Sequence, residues 1–353
     1  MKRLILTGFV LAAATLAGTV IPRAGAGASP SVERMVGQLM LVRMHGRVPS
    51  ASFLARVRRG EIGGVVLYSD NFGASGPSSL VAKLQAAAKA GHQSPLLIAV
   101  DQEGGVVKRL PGPPSLSPPE MRSATIAEAQ GLATARNLAA VGINLDLAPV
   151  LDVGHGGFIT PRTFGTTPAA VADRGPAFAA GLALGHVLAT AKHFPGLGYA
   201  SFSTDSTVTR VTASATRLKA DWLPFRTAIK AGIPLVMMST AVYPALGSNR
   251  PAALAPGIVS DLRRLGFHGV IVTDALQTPA VTKSTTTANA AVAAVNAGDD
   301  LVLAAGPTGS YADTDGASIP AYNALVAAAR SGQISTLKLR AAYTRVLALK
   351  KTV

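Results

Sequence analysis

The chain is predicted to be an α/β protein, a single (β/α)8 TIM-type barrel, on three observations. Short runs rich in Val, Ile and Leu number eight, the count a closed parallel barrel needs. Stretches with the alanine content and spacing of helices separate them, and such alternation implies parallel strands with helices outside. The runs are apolar throughout instead of alternating, as strands buried on both faces must be. Length alone would also admit two ordinary domains.

The expected strands are 38–43, 64–68, 96–101, 143–148, 188–193, 235–240, 269–274 and 300–304. Val65-Val66-Leu67, Leu96-Leu97-Ile98-Ala99-Val100 and Val270-Ile271-Val272-Thr273 are the clearest of them. Helices are expected over 78–90, 126–140, 169–184, 215–230, 255–265 and 288–297, and residues 322–349 read as two amphipathic helices joined near Ser331-Gly332. Glycine and proline cluster after strand ends at 111–119, 155–161 and 195–198, which marks loops, and 306–320 reads as a further solvated loop.

At the N-terminus Lys2 and Arg3 precede an apolar run over 4–20 and then small residues at 24–28. That is the pattern of a signal peptide over 1–28, cleaved between about Ala26 and Ser29, with an uncleaved membrane anchor as the rival reading. Cysteine is absent, so neither a lipoprotein attachment site nor a disulfide framework is available. The formal charge is +15, and without Lys2, Arg3 and Arg23 the remaining chain carries +12. In an exported protein such a surface is drawn to anionic cell-wall polymers or anionic lipid, or it simply keeps the protein soluble. No basic helix with interleaved aromatics points to nucleic acid. The expected localisation is secreted, extracellular or associated with the cell wall, with no membrane span once the leader is removed.

In a parallel barrel, chemistry sits where strands end. Asp101 ends the third expected strand, Asp146 and Asp152 flank the end of the fourth, Lys192 and His193 end the fifth, and Asp274 ends the seventh. Each carboxylate alone could cap a helix, and together they could form a buried ion-pair network, but several converging on one rim point to a polar site. His45, His92, His186 and His268 occur singly, without metal-ligand spacing, and read as surface or satisfied core residues. No His-Glu-x-x-His pattern or phosphate loop is present, so neither a metal nor a cofactor is expected.

Five ordered segments carry a specific likeness: residues 99–105 (AVDQEGG), 144–153 (NLDLAPVLDV), 161–165 (PRTFG), 191–198 (AKHFPGLG) with 204–207 (TDST), and 266–276 (GFHGVIVTDAL). Together they resemble family 3 glycoside hydrolases of the β-N-acetylglucosaminidase (β-N-acetylhexosaminidase) type. The resemblance implies one barrel-shaped catalytic domain over 29–353, a retaining mechanism with Asp274 as nucleophile, and Asp101, Arg109, Arg162, Lys192 and His193 as hydrogen-bonding partners of the terminal sugar. It further implies a carbohydrate substrate with a β-linked amino sugar or glucoside, N-acetylglucosamine from cell-wall or chitin-derived glycans foremost. Lys192, close to Asp274, would hold that carboxylate ionised.

The family usually reads Asp-Ser-His where this chain has Asp205-Ser206-Thr207, the His being the proton donor, and Leu197 stands where Pro-Gly-His-Gly is usual. A threonine hydroxyl is far too weak an acid to replace that His. Three readings stay open. Asp205 with a raised pKa, or less directly His155, protonates the leaving group. A different acceptor, as in a glycoside phosphorylase, or a self-activated leaving group lessens the need for an acid. Or catalysis is lost and the barrel binds glycan.

Overall fold

The computed structural model describes residues 30–73, 76–305 and 315–353, so the expected leader over 1–28 lies outside the described residues. All eight expected runs form strands: β1 (Met40–Arg43), β2 (Gly64–Leu67), β3 (Leu97–Val100), β4 (Leu145–Asp146), β5 (Leu188–Phe194), β6 (Leu235–Met238), β7 (Val270–Thr273) and β8 (Val302–Ala304). They pair in parallel in the order β8-β1-β2-β3-β4-β5-β6-β7. A parallel bridge between Val272 and Leu301 brings β7 to β8 and closes the ring. At this seam the Thr273 amide donates to Leu301 O at 3.0 Å, and the Leu303 amide donates to Thr273 Oγ1 at 3.0 Å. The chain is therefore a (β/α)8 barrel.

Strand periodicity sorts the side chains. Leu41, Val66, Leu97, Ala99, Leu145, Leu188, Leu235, Met237, Val270, Val272, Leu301 and Leu303 belong to one buried cluster that fills the barrel, while Val42, Val65, Ile98, Val236 and Ile271 belong to another that packs against the helices. Successive residues point to opposite faces, so the inward series continues two residues at a time up each strand. From Val66 it reaches Tyr68, from Leu97 and Ala99 it reaches Asp101, from Leu188 it reaches Lys192, and from Val270 and Val272 it reaches Asp274. The polar site is thus the top layer of the barrel interior. Asp146 has the opposite parity to the inward Leu145 and Leu147. It is fully buried, and its Oδ1 accepts the Gln102 amide at 2.9 Å. Burial, only partly countered by that hydrogen bond, pushes its carboxyl up to about 8.

Below the site, Val346 and Leu349 of the terminal helix Thr336–Lys350 join the interior cluster and cover the lower end. Lys350 anchors this plug by donating to Gln38 Oε1 and Gly63 O, each at 2.6 Å.

Helix starts follow capping chemistry. Ser50, Ser123, Thr167, Ser214, Thr286 and Ser335 each accept a backbone N–H from the first turn that follows. Two expectations need correction. The helix foreseen over 215–230 is two, Ala215–Ala220 and Leu223–Lys230. Pro224 supplies no N–H and suits the opening turn of the second, and Asp221 and Trp222 at the break turn to the loops after β4 and β5. The loop foreseen over 306–320 is already helical from Asp315, in Asp315–Arg330. There Ser318 is fully buried and accepts Arg56 Nη1 at 3.0 Å, so docking on helix Ala51–Arg59 draws these residues into the helix. Residues 306–314 lie outside those described.

Candidate active site

Asp101, Arg109, Arg162, Lys192, His193, Asp205 and Asp274, the seven residues singled out in the sequence, all line one cavity at the C-terminal mouth of the barrel. They come from four strand ends and the loops that follow them, so no short stretch of chain contains the site. Lys192 and His193 are adjacent in sequence yet face the same cavity. The β5–β6 register shifts between Ala191 and Phe194, and a bulge of this kind re-aims neighbouring side chains.

An ion network forms one wall. Lys192 Nζ lies 2.7 Å from Asp101 Oδ1 and 2.6 Å from Glu103 Oε1, and Arg162 grips Glu103 with both Nε (2.8 Å) and Nη2 (2.7 Å). Burial on its own would raise the Glu103 carboxyl, but Arg162 and then Lys192 outweigh it and hold it at about 2. Desolvation likewise works against charge on Lys192, and Asp101 and Glu103 more than offset it, so its pKa lies above the ordinary lysine value. Arg109 Nη2 stands 4.0 Å from Asp101 Oδ2 and its guanidinium lies 5.7 Å from the Tyr68 ring centre. That ring carries Arg43 as well, at 4.6 Å.

Lys192 and Asp274 line the same cavity, and the ion-pair partners of the ammonium among the described residues are Asp101 and Glu103. Asp274 is held by backbone. Its amide donates to Met238 O at 2.8 Å, and its Oδ1 accepts the Ala275 amide at 2.7 Å.

His193 is oriented by Asp152. Nδ1 lies 2.7 Å from Asp152 Oδ2, while Asp152 Oδ1 accepts the Leu197 amide at 2.7 Å. The pairing leaves Nε2 as the ring nitrogen open to the cavity that His193 lines, the arrangement by which a carboxylate fixes a tautomer.

The loop after β5 contributes Ser203, Thr204 and Asp205 to the cavity. Asp205 is exposed as a residue, and it lines the cavity together with Asp274. Desolvation first, and the charge of Asp274 second, push it up to about 6. Two carboxyls line one cavity, and the charge of one favours the protonated form of the other. His155, the second candidate for proton transfer, is engaged elsewhere: its Nε2 lies 2.8 Å from Asp221 Oδ2 and its ring stacks on Tyr199. His45, His92, His186 and His268 are all exposed, as expected of surface residues.

Sequence reading named Asp152 as a strand-end carboxylate without giving it a role, and missed Glu103, Gln102 and Tyr68. Glu103 has the same parity as Asp101, and this was the available signal. Gln102 is fully buried and uses its whole amide. It donates to Leu110 O (3.0 Å) and Pro113 O (2.8 Å), and accepts from the amides of Arg109 (2.9 Å) and Leu110 (3.0 Å). It thereby fixes the hairpin Gln102–Gly104/Val107–Lys108 and the loop that presents Arg109. Gly104 turns that hairpin at φ +93°, where a Cβ would stand 2.6 Å from Leu116 O.

The glycosyl hydrolase family 3 N terminal domain matches residues 31–349. The chain belongs to glycosyl hydrolase family 3. A secreted glycosyl hydrolase of Arthroderma benhamiae, itself uncharacterized, is 36% identical over 332 residues, covering 89% of this chain and 92% of its own length. A β-hexosaminidase of Xanthomonas oryzae is 34% identical and covers 76% of this chain and 84% of its own. Among solved structures, a β-N-acetylhexosaminidase of Beutenbergia cavernae superposes with a TM-score of 0.81 at 34% identity, over 92% of this chain and 99% of that one. A β-N-acetylglucosaminidase of Paenibacillus sp. gives a TM-score of 0.86 at 32% identity over 92% of this chain, which spans 63% of that larger protein.

Proposed function

We propose that this family 3 chain is a retaining glycosidase that removes a terminal β-linked N-acetylglucosamine from cell-wall or chitin-derived glycans, with Asp274 as nucleophile and Asp205 as the acid/base. The observation that carries the reading is that these two carboxyls line one cavity while the proton affinity of Asp205 is raised to about 6 by burial and by Asp274. A retaining enzyme needs one carboxylate to attack the anomeric carbon and a second group to protonate the departing oxygen and then activate water. Asp101, Lys192, Arg162, Arg109 and His193 supply directional, charge-assisted hydrogen bonds to the sugar hydroxyls. The amino sugar is supported by the names of the Xanthomonas and Beutenbergia relatives.

The pH dependence has a definite sign. Asp205 must carry its proton for the first step, so hydrolysis of an unactivated disaccharide falls as pH rises through about 6. A nitrophenyl glycoside, whose phenol departs with little protonation, is expected to show a weaker basic limb in that first step. Asp205→Asn is expected to lower disaccharide turnover on the order of 10²–10⁴-fold and to slow glycosyl transfer from the nitrophenyl substrate far less. Equal losses on both substrates would remove Asp205 from this role.

We also propose export, with residues 1–28 removed and a basic mature surface held near anionic wall polymers. The N-terminal pattern and the secreted fungal relative support it. Among the described residues no helix is long and apolar enough to cross a membrane. N-terminal sequencing of protein recovered outside the cell is expected to begin near Ser29, and recovery of the intact leader would contradict cleavage.

A further inference from the structure

Arg43, at the end of β1, is a buried cation that the function proposed above does not use. It shares the parity of the inward Leu41, so the strand aims it into the barrel interior, yet it is not among the residues that line the sugar cavity. A charge placed there has to be compensated. One compensation is Asp70, whose Oδ1 lies 3.1 Å from Arg43 Nη2. Another is the face of Tyr68, with the guanidinium carbon 4.6 Å from the ring centre.

Tyr68 does line the cavity, and so does Arg109, whose guanidinium carbon lies 5.7 Å from the same ring centre. Apart from that ring, Arg109 is loosely held. Its Nη2 is 4.0 Å from Asp101 Oδ2, beyond hydrogen-bonding distance, and its buried Nε has no hydrogen-bond partner among the described residues. An aromatic face fixes the plane of a guanidinium without consuming the N–H donors that a carboxylate would take. Arg109 is thereby oriented with donors left over for sugar hydroxyls.

Two cations beside one ring repel each other unless one is balanced. Asp70 supplies the balance and is itself fixed, since Oδ2 accepts the Gly46 amide at 3.0 Å and lies 2.9 Å from His45 Nδ1. Burial works against charge on Asp70, and the Gly46 amide and Arg43 outweigh it, so the carboxyl lies below the ordinary aspartate value. The backbone of Tyr68 is held separately. Its amide donates to Asn71 Oδ1 at 2.7 Å, and Asn71 Nδ2 donates to Met44 O (2.9 Å) and Gly46 O (2.6 Å). The loops after β1 and β2 therefore stay joined without Arg43, whose contribution falls on the ring.

We propose that Arg43 is a positioning residue for sugar recognition: balanced by Asp70, it fixes the Tyr68 ring against which Arg109 is oriented toward the terminal sugar. The inference rests on the glycosidase reading given above. It extends the recognition apparatus to a pair of residues outside the cavity.

The test is a double-mutant cycle with nitrophenyl N-acetyl-β-glucosaminide. Arg43→Met is expected to raise KM about tenfold with kcat little changed, and Arg43→Lys, which keeps a cation at the ring, to recover most of the loss. Arg43→Met combined with Arg109→Met is expected to lose no more than Arg109→Met alone, because one acts through the other. Losses that multiply in the double variant, or a fall in kcat at unchanged KM, would overturn the assignment. Should Arg43→Met not fold, Asp70→Asn decides: it keeps an acceptor for the Gly46 amide but removes the balancing charge, so a raised KM supports the assignment and an unchanged KM overturns it. If the wild type turns over no glycoside, the glycosidase reading fails on its own. Calorimetric titration with N-acetylglucosamine then decides the positioning role: weaker binding by Arg43→Met that adds nothing to the loss in Arg109→Met supports it, and equal binding, or none by the wild type, overturns it.

Discussion

Asp274→Asn is expected to reduce hydrolysis of every glycoside, activated or not, by on the order of 10⁴-fold or more, since the proposed covalent step needs its carboxylate whatever the leaving group. The replacement is nearly isosteric. The backbone hydrogen bond to Met238 and the contact between the side chain and the Ala275 amide can both persist, so the fold and the sugar contacts are expected to survive. What disappears is the carboxylate proposed to attack the anomeric carbon. The variant carries a second signature. Because the charge of Asp274 is the second cause of the raised pKa of Asp205, that pKa is expected to move down toward the ordinary carboxylate value. Steady-state kinetics with a nitrophenyl glycoside measures the first effect, and NMR titration of the Asp205 carboxyl measures the second. Near wild-type rates in Asp274→Asn would exclude it as nucleophile.

Glu103→Ala is expected to give the largest loss of stability, about 3–5 kcal/mol. Glu103 is buried between Lys192 and Arg162, and its removal leaves one buried ammonium with only Asp101 and a guanidinium with no carboxylate at hydrogen-bonding distance. Two cations facing each other out of water cost far more than the same pair at a surface. Sugar binding is expected to fail as well, because the two donors lose their common anchor. The linkage has a definite sign. The folded-state pKa, at about 2, lies below the ordinary glutamate value of 4.5. The contribution is therefore present above about 4.5 and is lost as pH falls toward 2. Urea unfolding of wild type and variant between pH 3 and 7 is expected to give curves that converge as the medium becomes acid. Pairing the change with Arg162→Met is expected to recover part of the stability without recovering activity, because an apolar substitute removes the guanidinium left without its carboxylate.

The barrel was legible because parallel strands buried on both faces leave continuous apolar runs, and all eight appear where expected. The site was legible for residues that break those runs. Asp101, Lys192 and Asp274 interrupt or end apolar strands, and strand parity alone sends each of them inward. Residues that act through another residue left no such mark. Glu103 meets Arg162 across 59 positions, and Asp152 meets His193 across 41, separations that no local pattern spans. Asp146 shows the converse. It stands at a strand end like the others, yet its parity sends it away from the interior cluster, and burial raises its carboxyl to about 8. The break at Asp221 was hidden for the same reason as Glu103. Pro224 signalled a helix start, but the partner that draws Asp221 outward, His155, is 66 positions away.

The most direct test is covalent trapping. A 2-deoxy-2-fluoro glycoside with a dinitrophenyl leaving group slows both steps, but the activated phenol lets the glycosyl-enzyme form and accumulate. Proteolysis and mass spectrometry of the inactivated protein are expected to find one added glycosyl unit on the peptide that contains Asp274, and none in Asp274→Asn. Label on a different carboxylate, or continued turnover of the nitrophenyl substrate with no covalent adduct under these conditions, would contradict a glycosyl-Asp274 intermediate.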